Sequence, residues 1–144
     1  MSESTVEMEA LKNAPFFAGL SPADLDGILR VGRSVSFEPG QPIVEQGDIG
    51  DGMYVIVSGT AEVDVGGRFH KLTTGNFFGE MALVSAGKRM ATVTAVDPVE
   101  ALKIPADGFQ SFLQDHPGVA VSMLRAVVDR LREVEQRIDA WMTS

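Results

Sequence analysis

The pattern of apolar and polar positions divides the chain into three zones, of which the first is helical. Within residues 1–32, the apolar side chains of Leu25–Leu29 recur at the spacing of one face of an α-helix. Ser21 is a suitable N-cap for this helix, and Pro22 and Asp24 are suited to its electropositive first turn. Residues 1–32 are therefore predicted to form N-terminal helices.

Residues 33–104 have instead the pattern of short strands separated by glycine-bearing turns. Ala61–Val65 alternates apolar and acidic side chains, as a strand with one buried face does. Turn signals recur at close intervals, among them Gly50–Gly52 and Gly66–Gly67. The predicted strands are 35–37, 43–46, 53–57, 61–65, 69–73, 92–96 and 99–104. Many short strands with such turns predict a sandwich or barrel, and a jelly-roll β-barrel with flanking helices fits best.

Residues 105–144 return to helical spacing. One helix is predicted from Pro105 to about His116, where Pro117 interrupts it. In the long final helix that follows, apolar residues alternate in steps of four and three, the spacing of a coiled-coil seam. These residues are Ala120, Leu124, Val127, Leu131, Val134, Ile138 and Trp141. The 144 residues suffice for one domain with a core and are too few for two of full size.

Composition and charge narrow the classes of function. Hydrophobic residues at 44% and charged residues at 22% are typical of a soluble globular protein. No apolar run approaches the roughly 20 residues that cross a bilayer, and the acidic N-terminus lacks the features of a signal peptide. A net charge of −8 argues against nucleic acid as a partner, since phosphate backbones attract clustered cations. We expect a cytoplasmic protein that binds neither nucleic acid nor membrane by itself.

Catalytic and metal chemistry find little support in the sequence. There are no cysteines, and His70 and His116 are the only histidines, so the histidine cluster of a metal-binding barrel is not supplied. Neither Ser58 nor Ser85 lies in a nucleophile elbow, and Gly87–Lys88 lacks the rest of a P-loop. We therefore predict no enzyme activity, no metal and no cofactor.

A carboxylate and a guanidinium, Glu80 and Arg89, stand nine positions apart with a short apolar run and a glycine turn between them. The planar fork of an arginine suits a phosphate, and a glutamate accepts a hydrogen bond from a sugar hydroxyl. Gly79 and Ala82 are small enough for backbone N–H groups to approach an anion, especially if Glu80–Leu83 begins a short helix. A ribose fused to a cyclic phosphate is the ligand class that needs all three features.

The segment Phe77–Val93 closely resembles the phosphate-binding cassette of the cyclic-nucleotide-binding domain family. That family includes catabolite activator proteins, protein kinase A regulatory subunits and cyclic-nucleotide-gated channels. Its pattern runs Phe-Gly-Glu-hydrophobic-Ala-Leu, a short turn and Arg-x-Ala-Thr-Val, and every signature position is met here. The segment Glu45–Gly59 resembles the same family. The resemblance implies a jelly-roll fold, also called a double-stranded β-helix, and a cyclic nucleotide bound by Phe78, Gly79, Glu80, Met81, Ala82, Leu83, Arg89, Met90 and Ala91.

The resemblance also implies a role for each part of the cassette. Arg89 should pair with the equatorial phosphate oxygen, and Glu80 should accept from the ribose 2′-hydroxyl. The backbone amides of Met81–Leu83 should hold the remaining oxygens, while Gly79 and Ala91 are small so that the ring fits. Where members of the family carry threonine or serine just after the arginine, guanine is favoured. This chain has Met90 there, which favours cAMP and keeps cGMP as the alternative ligand.

The final helix has two predicted roles. It folds over the barrel mouth as a lid on the base, with Arg130, Leu131 and Val134 as candidates and Trp141 as a more distant one, or it pairs with its copy in a homodimer. Both roles can coexist on different faces, and the plain alternative is a helix lying on its own barrel.

The function predicted from the sequence is a cyclic-nucleotide-binding regulatory module whose effector is another domain or protein. Most members of the family couple the domain to an effector, and we expect residues 105–144 to leave no room for one. A free-standing sensor and a regulatory part of a longer protein both remain open, and Met1 favours the first. The alternative function is an interaction module that serves assembly, with a barrel that is empty or holds another anion.

Overall fold

Two antiparallel sheets, flanked by helices from both ends of the chain, make up the fold. The computed structural model describes residues 3–143, so Met1, Ser2 and Ser144 of the predicted terminal zones lie outside the described residues. The elements in chain order are α1 (Glu3–Asn13), a 3-10 helix (Pro15–Phe17), α2 (Pro22–Arg30), β1 (Arg33–Phe37), β2 (Pro42–Val44), β3 (Gly52–Ser58), β4 (Ala61–Val65), β5 (Arg68–Leu72), β6 (Phe77–Phe78), a second 3-10 helix (Glu80–Leu83), β7 (Thr92–Ala95), β8 (Val99–Pro105), α3 (Ala106–Asp115) and α4 (Pro117–Thr143).

The predicted helix start at Ser21 is confirmed in atomic detail. The Ser21 hydroxyl accepts a hydrogen bond from the Asp24 N–H at 3.1 Å, and the Asp24 carboxylate accepts from the Ser21 N–H at 3.3 Å. This reciprocal capping box satisfies two backbone donors that the first turn of α2 would otherwise leave without partners. It fixes the point at which α2 leaves the N-terminal 3-10 helix.

The strands pair in two sheets, with the orders β1-β8-β3-β6 and β2-β7-β4-β5. All pairs are antiparallel, and each of the seven predicted strands is present with small shifts at its ends. Strand β6, which pairs with β3, was not predicted because two residues are too few to show alternation. The predicted mainly β architecture with flanking helices is confirmed, in the form of two sheets rather than one closed barrel among the described residues.

The hydrophobic core has two parts, separated by the sheet that contains β3. On one face of β3, Met53 and Val55 pack against the helices; on the other, Tyr54 and Ile56 pack against the second sheet. Every residue of β3 except Ser58 is buried, which explains why the strand is almost entirely apolar. Because successive side chains point to opposite faces, Tyr54 is directed into the space between the two sheets.

The long helix α4 is attached to the rest of the fold by its first half only. Val119 and Met123 are buried against the N-terminal helices, whereas the apolar side chains of its second half are exposed. The first half runs beside the 3-10 helix Pro15–Phe17. Within residues 3–143, no helix combines the length and the apolar character needed to cross a membrane.

Candidate functional site

Arg89 lies where two distant loops of the backbone pair with each other. The Arg89 N–H donates to the carbonyl of Asp48 at 2.6 Å, and the Arg89 carbonyl accepts from the Gly47 N–H at 2.9 Å. The Gly50 N–H donates to the carbonyl of Gly87 at 2.8 Å, and Ile49 and Lys88 form a β-bridge. The loop at Gly47 and Asp48 therefore satisfies both the N–H and the carbonyl of Arg89, which fixes where its side chain begins.

The guanidinium of Arg89 is directed inward, and its side chain is only 9% exposed. Its Nη2 donates to the carbonyl of Gly52 at 2.8 Å, and its Cζ lies 6.0 Å from the centre of the Tyr54 ring. A neutral carbonyl and an aromatic face satisfy only part of a guanidinium that has five N–H donors. The group is thus positioned in advance and can still bond an anion.

Two glycines make room for this guanidinium. A Cβ added at Gly79 would collide with Nη1 of Arg89, and Gly79 also has a φ of +81°, in the left-handed region. A Cβ at Gly50 would come within 3.2 Å of Cζ of Arg89 and 3.0 Å of the Ala82 side chain. Gly79 was predicted to be small so that the ligand ring fits. The structure adds a second reason, because the guanidinium of Arg89 occupies the place where a side chain at position 79 would begin. We call the space bounded by Gly50, Gly52, Tyr54 and Gly79 the arginine slot.

The predicted short helix of the cassette is present as the 3-10 helix Glu80–Leu83. Its first internal hydrogen bond runs from the Ala82 N–H to the Gly79 carbonyl at 3.0 Å. The helix geometry therefore offers no acceptor within the helix for the N–H groups of Glu80 and Met81, which come before that bond. The Ala82 amide, one of those predicted to bind the ligand, already has a partner in this conformation.

Leu83 ends this short helix inside the core rather than at the slot. Its side chain is fully buried in the same cluster as Phe109 of α3. The side chain of Gln110, also in α3, donates from Nε2 to the Leu83 carbonyl at 3.0 Å. The cassette is thus connected to the C-terminal helices by apolar packing and by one hydrogen bond.

The remaining predicted ligand residues lie at different depths. Phe78 stacks on Tyr54 with ring centres 5.1 Å apart, so it packs between the sheets beside the slot. Glu80 and Ala91 are half-buried. Met90 is 81% exposed and leaves its side chain available to a neighbouring group.

Two residues of the site were missed in the sequence analysis, Asp51 and Lys103. Lys103 donates from Nζ to Oδ2 of Asp51 at 2.9 Å, and Oδ1 of Asp51 lies 3.8 Å from Nη2 of Arg89. The hydrogen bond from Lys103 holds the pKa of the Asp51 carboxyl below its ordinary value, and the charge of Arg89 acts in the same direction. A lysine inside the apolar strand 99–104 was the available signal, because buried lysines are rare unless paired.

The lid candidates are placed away from the cassette. Arg130 lines a cleft between α4 and the segment Pro15–Gly19, together with Arg125 and Glu133. Leu131 and Val134 are exposed on the second half of α4. In this conformation the structure does not bring these residues to the arginine slot, and their lid role stays a prediction.

Comparison with known proteins gives a consistent result. The sequence profile of the cyclic nucleotide-binding domain matches residues 34–116. Over 135 residues the chain is 31% identical to the cyclic AMP receptor protein of Thermus thermophilus, covering 90% of this chain and 62% of that protein. Over 86 residues it is 43% identical to a cGMP-dependent protein kinase of Toxoplasma gondii, covering 59% of this chain and 9% of the kinase.

The same similarity holds for three-dimensional structure. The crystal structure of the N-terminal domain of a transcriptional regulator from Streptomyces coelicolor superimposes with a TM-score of 0.77 at 30% identity. The match covers 88% of this chain and 95% of that domain. The chain spans 62% of the length of the Thermus relative.

Proposed function

Because this chain belongs to the cyclic nucleotide-binding domain family, we propose that it binds cAMP at the cassette 77–93 and acts as a regulatory module without catalytic activity. The observation that carries the proposal is the arginine slot. Gly50 and Gly79 keep room for a guanidinium that is almost fully buried and retains unused donors. An inward-directed guanidinium next to loops with short side chains suits one phosphate group.

Each group of the cassette then has a role in the proposed complex. Arg89 pairs with the equatorial oxygen of the cyclic phosphate, and the N–H groups at the start of the helix Glu80–Leu83 add backbone donors. The carboxylate of Glu80 accepts from the ribose 2′-hydroxyl. The half-buried position of Glu80 favours a hydrogen bond of this kind, since a partly desolvated carboxylate gains more from a donor than an exposed one does.

The choice of base rests on Met90. Its exposed thioether side chain can cover a flat ring but has no hydroxyl to offer to guanine, so adenine is the proposed base. The similarity to a cAMP receptor protein supports the same choice, and the similarity to a cGMP-dependent kinase keeps cGMP as the alternative.

The helix α4 is the proposed output of the module. Its exposed apolar positions follow the four-three spacing of a coiled coil, which supports pairing with α4 of a second copy. Ligand binding would shift the population between a free α4 and an α4 closed over the cassette with Arg130, Leu131 and Val134. The effector is a further domain or a separate protein, and the cysteine-free composition fits the reducing cytoplasm.

Calorimetric titration with cAMP and then cGMP tests this function. The wild-type chain should bind one cyclic nucleotide per chain, and Arg89→Leu should lose about 2–5 kcal/mol of binding free energy, the range for removing one partner of a buried charge pair. Arg68→Leu is the matched control, because Arg68 is an exposed arginine on β5 and its loss should leave affinity unchanged. If neither nucleotide produces heat or a thermal shift, the module is an assembly domain instead.

A second titration tests the role of Glu80 separately. Glu80→Gln should weaken binding of cAMP but not of 2′-deoxy-cAMP, since the deoxy ligand lacks the hydroxyl that the carboxylate accepts from. Equal losses for the two ligands would assign Glu80 to the structure of the cassette rather than to the ribose.

A further inference from the structure

Lys103 is a buried cation that the proposed ligand contacts do not use. It lies on β8 directly opposite Tyr54 of β3, and the residue is only 8% exposed. Its Nζ is 5.6 Å from the centre of the Tyr54 ring, on which Arg89 also lies at 6.0 Å. Two cations therefore share one aromatic ring between the sheets, and burying a second positive charge beside the first is unfavourable unless it is compensated.

The compensation comes from a single carboxylate, Asp51, and it is divided unequally. Lys103 forms a hydrogen bond of 2.9 Å with Oδ2, whereas Arg89 approaches Oδ1 only to 3.8 Å. The short hydrogen bond of Arg89 is instead donated to the neutral carbonyl of Gly52. Asp51 is thus bound to Lys103 and is only a distant neighbour of Arg89.

This unequal division matters for any anion that approaches the guanidinium of Arg89. A carboxylate and a guanidinium that meet directly form a strong two-point pair, and a phosphate would have to displace the carboxylate before it could bind. With Asp51 held by Lys103, the displacement is not needed.

We infer that Lys103 is a positioning residue for ligand binding, which holds Asp51 away from Arg89 and so keeps the guanidinium available to an anionic ligand. The inference rests on the proposed function for its ligand, but its structural part concerns the ligand-free chain. Without Lys103, Asp51 would turn to its nearest remaining cation, Arg89, and compete with the phosphate.

The test compares four proteins: wild type, Lys103→Met, Asp51→Asn and the double variant. Lys103→Met keeps an unbranched side chain beside Tyr54 and removes the charge. It should weaken cAMP binding by about ten- to a hundredfold, the effect of leaving a buried charge with the wrong partner. Asp51→Asn/Lys103→Met should return to within about threefold of Asp51→Asn, because the competing carboxylate is gone. Lys103→Arg, which keeps the charge, should retain binding.

A structural role alone gives a different result. If Lys103 only supports the fold, Lys103→Met lowers the melting temperature and the second substitution does not rescue affinity. Unchanged affinity in Lys103→Met, or a loss that Asp51→Asn fails to rescue, would overturn the inference.

A ligand-free measurement separates this inference from the proposed function. The Nε–H signal of Arg89 in a nitrogen–proton NMR spectrum, assigned with Arg89→Lys, should shift in Lys103→Met and return in the double variant. No shift in Lys103→Met overturns the inference even if cAMP binds normally. A shift in a chain that binds neither cyclic nucleotide supports the positioning by Lys103 and refutes the proposed ligand.

Discussion

The arginine slot and the second half of α4 differ in how many contacts their side chains make within the chain. In the slot, Arg89 has a backbone carbonyl, an aromatic face and a nearby carboxylate, all supplied by the same chain. In the second half of α4, Leu131, Val134 and Ile138 remain 56%, 39% and 51% exposed although they are apolar. The slot is filled by a side chain of the same chain, whereas the second half of α4 leaves apolar surface exposed, as protein-interaction surfaces do.

Gly79→Ala is the substitution with the largest expected effect on this contrast. The added Cβ displaces the guanidinium of Arg89 and requires a left-handed backbone, so cAMP affinity should fall about a hundredfold or more, by analogy with loss of a buried charge contact. The free energy of unfolding should fall by about 1–3 kcal/mol.

Gly40→Ala is the matched control, with a φ of +83° and open space around the glycine. It should lower stability by a similar backbone cost and leave affinity unchanged, as titration and thermal denaturation would show. Equal affinities for the two variants would mean that the slot does not depend on Gly79.

Ile138→Lys, in the second half of α4, should have the next largest effect. A lysine at the apolar seam of α4 should weaken self-association by about ten- to a hundredfold, because the burial of an isoleucine is lost in each copy. Sedimentation velocity over a concentration series measures it, with Gln136→Lys as the control on the polar face of the same helix. A chain that stays monomeric before and after either substitution would remove the homodimer from the proposal.

Gln110→Leu should have a smaller effect, where the cassette meets α3. It removes the hydrogen bond to the Leu83 carbonyl and should cost about 1 kcal/mol in the free energy of unfolding, a typical value for one such bond. Chemical denaturation measures this, with Gln114→Leu, an exposed position on α3, as the control. Equal stability of the two variants would show that the cassette and α3 are held together by apolar packing alone.

The smallest expected effect is on acid stability through Asp51. Its pKa is lowered in the folded chain, so the carboxylate stabilises the fold above its unfolded pKa of about 3.9 and this contribution is lost as pH falls below that value. The difference in melting temperature between wild type and Asp51→Asn should therefore shrink from pH 6 towards pH 3. Gln114→Asn, at an exposed site, removes no carboxylate and should show no such trend; the same trend in both would indicate a general effect of acid on the fold.

The elements of the fold were largely predictable because most of them have a signal in residues that are close together in the sequence. The capping box at Ser21, the alternation in Ala61–Val65 and the four-three spacing in α4 depend on residues close in sequence. Strand β6 was not predictable, since its two residues show no period and it exists only because β3 offers an edge to pair with. The exposure of α4 was not predictable either, because spacing identifies an apolar seam but does not say whether the chain covers it.

The candidate site was predictable in its residue types but not in its contacts. Glu80, Gly79 and Arg89 stand within one short segment, whereas Lys103 and Asp51 are 52 positions apart and Arg89 and Gly52 are 37 apart. Pairings over such separations are set by sheet register, which a single sequence leaves open. The close approach of the Arg89 side chain to Gly50 became visible only in the structure.

The pairing of the loops around Arg89 also has a consequence for how the chain folds. Because the slot joins segments far apart in sequence, it forms only after the sheets have brought those segments together, and the unfolded chain has nothing with which to hold a ligand. A ligand for the slot would therefore bind the native state alone and stabilise it by mass action, by about 2.7 kcal/mol at a hundred times its dissociation constant. In a cell, the steady-state abundance of the protein would then rise and fall with the concentration of that ligand.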